Sequence, residues 1–186
     1  MIESKNKFVL YAAVFKVIIL VWLICYAREL TAFYLLRLAL VITFSYIAML
    51  IDIRQRCIPN KLVLSMLIAW SLLIAQNLLT DIQTGILLLA DGVLGLLTGG
   101  GVFLAVYLLS RKGLGGGDVK FMAAAGLYLG FSNTIPAILY GTVLAALTGL
   151  TLIALGRITR KDTLPLAPFL FVGIMITIIT SKGIIV

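Results

Sequence analysis

"SRKGLGGGDVKF", residues 110–121, breaks an otherwise apolar chain. Before it runs "GVFLAVYLL" and after it "MAAAGLYLG", so a basic pair, four glycines and an aspartate separate two lipid-compatible stretches. Read outward from there, apolar segments recur at about 8–27, 33–51, 62–79, 86–109, 119–131, 134–155 and 166–181. Most approach the roughly 20 residues needed to cross a bilayer as a helix. Of the 186 residues, 62% are hydrophobic, against roughly half in a soluble domain. The expected fold is all-α: a polytopic membrane bundle of about 6–7 helices. The whole chain, 1–186, is read as a single membrane-embedded domain with no room for a soluble one. The first run has no small-residue cleavage site behind it and is read as a retained additional helix within 1–32 rather than a signal peptide. The segment 119–131 is short for a full span.

Charge sets the expected orientation. With the N-terminus inside, Lys5, Lys7, Arg54, Arg56, Lys61, Arg111, Lys112, Lys120, Arg157, Arg160 and Lys161 fall on the cytoplasmic side. Only Arg28, Arg37 and Lys182 fall on the other, and Lys16 lies within the first segment. This is the bias of a cytoplasmic-membrane protein with its N-terminus in and its C-terminus out. The same bias accounts for the net charge of +8, so no nucleic-acid partner is expected; the partner on composition is the lipid bilayer.

The residues absent narrow the chemistry. There is no histidine, and Cys25 and Cys57 stand far apart with no CxxC. Histidine-based nucleophile systems are excluded and most zinc sites with them; neither a metal nor a cofactor is expected. Of seven acidic residues, Asp52, Asp91 and Asp118 lie where a carboxylate at membrane depth is expensive and therefore a functional suspect. Asp52 ends the second segment and Asp118 opens the fifth, so the orientation places both at the cytoplasmic face, while Asp91 lies nearer the far face. Two neighbouring carboxylates cannot both ionise readily, and one then serves as base while the other donates a proton. Gly115, Gly116 and Gly117 lack a Cβ and let a peptide backbone approach Asp118. A capping aspartate after a flexible turn is the competing reading of that loop. In "DIRQRCIPNKL", 52–62, Pro59 fixes a turn, Asn60 is a candidate N-cap, and Arg54 and Arg56 anchor the face and could hold Asp52 ionised. Lys61 and Ser65 share a helix face, but Lys61 reads as an interfacial anchor rather than half of a Ser-Lys dyad. Gly95 and Gly99, then Gly126 and Gly130, have helix-packing spacing.

"GLGGGDVKF" preceded by "DIRQRCIPNKL", with "LPLAPFLFVG" at 164–173, resembles the type IV prepilin peptidase family, the bacterial members of the GxGD membrane aspartic proteases. The matching blocks span roughly 45–173. The resemblance implies an aspartic endopeptidase that removes the basic leader of a prepilin or pseudopilin at the cytoplasmic membrane face. It implies Asp52 and Asp118 as the catalytic pair and Gly115 and Gly117 as the motif glycines with Gly116 in the variable place; Arg54, Arg56, Pro59, Asn60 and Lys120 are expected to support them. Asp91 is expected to support rather than catalyse. Long members carry an insertion with paired CxxC motifs and also N-methylate; this chain lacks it and resembles the short form of tight-adherence (Flp-type) pili, so methylation is not expected. The alternative function is a small transporter or channel relaying protons or cations through Asp52, Asp91 and Asp118.

Overall fold

The computed structural model describes residues 32–110, 114–159 and 164–181; the expected first helix lies outside them. Every element among the described residues is helical: α1 Ala32–Gln55, α2 Asn60–Thr80, α3 Ile82–Leu109, α4 Gly116–Ala154 and α5 Ala167–Thr180. Four of them, all but α5, are long and apolar enough to cross a membrane. Lipid offers the backbone no hydrogen bonds, so long apolar runs satisfy themselves as helices. Polar punctuation sets their ends. At the α1–α2 turn Arg56 adopts a positive φ of 50° and Pro59 takes the N-cap position. Asp81 caps α3 by accepting from the N–H groups of Gln83 (3.1 Å) and Thr84 (3.4 Å). Exposed leucines and isoleucines along α2, α3 and the second half of α4 form the lipid-facing surface.

The first part of α4 occupies the middle. Phe121, Met122, Ala125 and Tyr128 are buried, packed with Val41 and Ala48 of α1, Met66 of α2, and Leu170 and Ile174 of α5. Gly95 of α3 and Gly126 of α4 meet back to back: a Cβ on either would run into the other's carbonyl oxygen. Small residues here bring two membrane helices into backbone contact.

α4 is not one straight rod. At Gly130 the backbone leaves the helical region (φ 73°, ψ 177°), a conformation essentially restricted to glycine. A Cβ placed on Gly99 would touch both the Met122 carbonyl and the Thr134 methyl. Along a continuous helix those two residues would stand about 18 Å apart. The chain therefore folds back at Gly130, and α4 consists of two antiparallel arms, 116–129 and 131–154, that share the face of α3. The sequence segments 119–131 and 134–155 correspond to these arms. The first arm is only about 21 Å long, short of the roughly 30 Å hydrocarbon core. That shortness is why 119–131 reads as too short to span. Gly130, read from its spacing as a packing glycine, is instead the turn.

A backbone turn within an apolar bundle is stable only if protein groups satisfy its hydrogen bonds. The Phe131 N–H donates to Asp91 Oδ1 (2.9 Å). The freed carbonyls of Leu127 and Tyr128 accept from Trp70 Nε1 (2.9 Å) and Arg37 Nε (2.6 Å). Asn133 Nδ2 donates to the Leu129 carbonyl and the Thr134 hydroxyl to the Gly130 carbonyl. Arg37 Nη2 also pairs with Asp91 Oδ2 at 3.7 Å. Arg37 is only 6% exposed. It is therefore an internal hydrogen-bond donor and not the far-side surface charge that the loop count made it.

Candidate functional site

Four chain segments meet at one end of the bundle: the last turn of α1, the α1–α2 turn, the start of α4 and the start of α5. Asp52 lies in the last turn of α1 and is 5% exposed. Its Oδ2 accepts the Ala167 N–H at 3.0 Å. Ala167 is the first residue of α5, where backbone N–H groups lack intrahelical partners. One carboxylate oxygen of Asp52 is thereby fixed by a helix 115 positions away in sequence.

Asp118 lies in the first turn of α4 and is partly buried. The N-cap position belongs to Gly115, with an extended backbone (φ −72°, ψ 134°), so Asp118 is not the capping residue itself. Its carboxylate turns back over the loop: a Cβ at Gly115 would sit 2.9 Å from Asp118 Oδ2. A side chain at 115 would therefore push that carboxylate from its place. At Gly117 a Cβ would press on Ile58, 3.2 Å from both its Cβ and its carbonyl oxygen. Gly116 is exposed, and a Cβ there would meet nothing within 4 Å.

The two sequence motifs are in contact. Besides the Gly117–Ile58 packing, Lys120 Nζ donates to Asn60 Oδ1 at 3.1 Å. Pro59, at the N-cap of α2, fixes the turn between Ile58 and Asn60. Asn60 is the first helical residue rather than the cap expected from sequence; its side chain is spent on Lys120. These contacts bring Asp118 near enough to Asp52 for the two charges to interact. Arg54 and Arg56 are exposed, and among the described residues neither pairs with Asp52. Ser65 donates its hydroxyl to the Leu62 carbonyl of its own helix (2.7 Å), which leaves no Ser-Lys dyad with Lys61. Asp91 is at the tip of the α4 hairpin, bound to Phe131 and Arg37 and apart from the other two aspartates. No cluster of three or more His, Cys, Asp or Glu side chains suited to a metal occurs among the described residues.

Two participants escape sequence reasoning. Ala167 contributes only a backbone N–H, which no residue type announces; Pro168 beside it, at the start of an apolar run, is the one local sign of a helix beginning there. Arg37 counts among the loop charges in the sequence because its position in an apolar segment hides the broken helix that it serves.

Comparison with known proteins identifies the family. Residues 39–150 match the model of the type IV leader peptidase family. The chain belongs to that family. It is 33% identical over 150 residues to the prepilin leader peptidase/N-methyltransferase of Escherichia coli K12, which covers 75% of this chain and 62% of that protein. It is 30% identical over 135 residues to the protein of the same name in Bacillus subtilis 168, covering 72% of this chain and 51% of that one. The Aeromonas hydrophila protein of that name is 28% identical over 152 residues, covering 78% and 50%. The chain thus spans about half to three-fifths of the length of these relatives. No solved structure matches it. With its long apolar helices, it is a multi-pass membrane protein.

Proposed function

We propose that this protein is a prepilin leader peptidase, an aspartic endopeptidase of the GxGD type whose catalytic pair is Asp52 and Asp118. The observation that carries the reading is their convergence. Two carboxylates from distant motifs stand at one end of the bundle, close enough to interact, beside an exposed glycine loop. The names of the relatives support the substrate, a prepilin or pseudopilin with a basic leader. The positive-inside pattern supports a site at the cytoplasmic face of the inner membrane.

The chemistry needs only water and the pair. The ionised carboxylate removes a proton from a water held between the two. The resulting nucleophile attacks the scissile carbonyl, and the protonated partner donates to the carbonyl oxygen. Collapse of the tetrahedral adduct returns a proton to the leaving amine, and the pair exchanges roles, titrating as a unit. The Ala167 N–H holds one oxygen of Asp52 and so aims the other. The open surface at Gly116 gives the extended substrate backbone a place to lie. Methylation of the new N-terminus is not part of the proposed activity, because the cysteine-bearing insertion of the long form is absent from the sequence. The test is co-expression with prepilins from the same genome. A shift to the mature size on a gel, lost with Asp52→Asn, supports the reading; no shift with any of them refutes it. The relay alternative draws no support from the geometry, since Asp91 is bound at the hairpin tip, away from the pair.

A further inference from the structure

We infer that Arg37 is a positioning residue that sets the relative register of the two aspartate-bearing helices, through its bond to the broken end of the first α4 arm. The inference rests on the proposed peptidase reading for its kinetic consequences but on geometry for its substance.

Asp52 and Arg37 are on the same helix, α1, about 22 Å apart along the axis. Asp118 and Tyr128 are on the same arm of α4, about 15 Å apart. At one end these two rods bring the carboxylates together. At the other, Arg37 Nε donates to the Tyr128 carbonyl at 2.6 Å. That carbonyl is available only because of the break. In an unbroken helix it would accept the Ser132 N–H; the fold-back at Gly130 takes that donor away. The break thus creates an acceptor of fixed position, and Arg37 ties α1 to it.

Asp91 completes the device by holding the guanidinium with one oxygen and the Phe131 N–H with the other. From α3 it thereby links the second arm of α4 to α1. Trp70 and the Tyr128 hydroxyl, which donates to the Met66 carbonyl at 2.6 Å, tie the same arm to α2 and not to the helix carrying Asp52. Arg37 directly bridges the two aspartate-bearing helices at the tip. A shift of about 1 Å between catalytic groups is enough to cost about 10²-fold in rate.

The experiment compares two double substitutions that both remove the charge pair. In Arg37→Gln/Asp91→Asn, an amide remains to donate to the Tyr128 carbonyl. In Arg37→Met/Asp91→Asn, no donor remains. Each is assayed with a synthetic prepilin whose basic leader ends in glycine ahead of an apolar helix. The methionine variant should lose about 10²-fold in kcat with KM nearly unchanged, while the glutamine variant should stay within about tenfold of the parent. Trp70→Phe, which also leaves a tip carbonyl without its donor but does not touch α1, should keep most of its kcat. A second readout does not depend on cleavage: with Cys25→Ser and Gly116→Cys, the exposed Cys57 is cross-linked to position 116 by a short bis-maleimide. The yield should fall in the methionine variant and hold in the glutamine variant. If the methionine variant fails to insert, Arg37→Lys decides, because it keeps the charge and displaces the donor; kcat should fall and KM hold. Equal kcat and equal cross-linking in the two double variants would overturn the inference, as would a loss confined to KM, or an equal kcat loss in Trp70→Phe. If the parent protein does not cleave the prepilin at all, the peptidase reading fails and the cross-linking alone decides this one.

Discussion

At the scale of single residues, the three glycines before Asp118 are not equivalent. Gly115 leaves space that the Asp118 carboxylate fills, and Gly117 lies against Ile58. Gly116 faces open space. Gly115→Ala should therefore displace the carboxylate and reduce prepilin cleavage by at least about tenfold, with the protein inserted normally. Gly116→Ala should leave cleavage near wild type when the substrate is small, and a bulkier residue there should raise KM before it lowers kcat. Cleavage kinetics of purified variants in detergent would check both, and a Gly115→Ala enzyme with normal kcat would show that the loop does not hold Asp118. The sequence itself displays this loop, because a charge after glycines in an apolar chain has few other uses. It does not display the partner of Asp52. A backbone N–H at Ala167 is the same in every non-proline residue, so only the fold brings it there.

At the scale of elements, six of the apolar segments read from hydropathy correspond to described helices or helix arms, since a membrane helix must be a continuous apolar run. What hydropathy does not reveal is the turn at Gly130, because a single glycine in a glycine-rich chain resembles a packing residue. Its dihedral angles, and the Asp91 carboxylate lying where a Cβ would go, make Gly130→Ala doubly unfavourable. The backbone strain alone costs about 1–3 kcal/mol, and the collision with Asp91 adds to it. Thermal unfolding of Gly130→Ala in detergent should show a lowered Tm, whereas Gly101→Ala, at a glycine with nothing within 4 Å, should not. Asp91→Asn keeps an oxygen for the Phe131 N–H while weakening the pair with Arg37, so it should retain measurable cleavage; complete loss in a normally inserted protein would contradict the supporting role.

At the scale of the whole molecule, the helices place two short polar motifs at one end of an apolar bundle and leave the rest of the surface to lipid. That economy makes the proposed function legible: with no histidine and no CxxC pair, two carboxylates brought to one end are a chemistry the sequence can supply. It also predicts that a pilin matured by this protein alone carries an unmethylated N-terminus, which mass spectrometry of the mature pilin checks; a gain of one methyl group dependent on this chain would contradict it. The central claim is that Asp52 and Asp118 act as one catalytic unit, and leader cleavage by the single and double asparagine variants tests it most directly. Each of Asp52→Asn and Asp118→Asn, inserted at normal levels, should lose at least about 10²- to 10⁴-fold in rate, and the double variant should lose little more. Cleavage near the wild-type rate by either single variant, or losses that simply multiply in the double, would contradict the account.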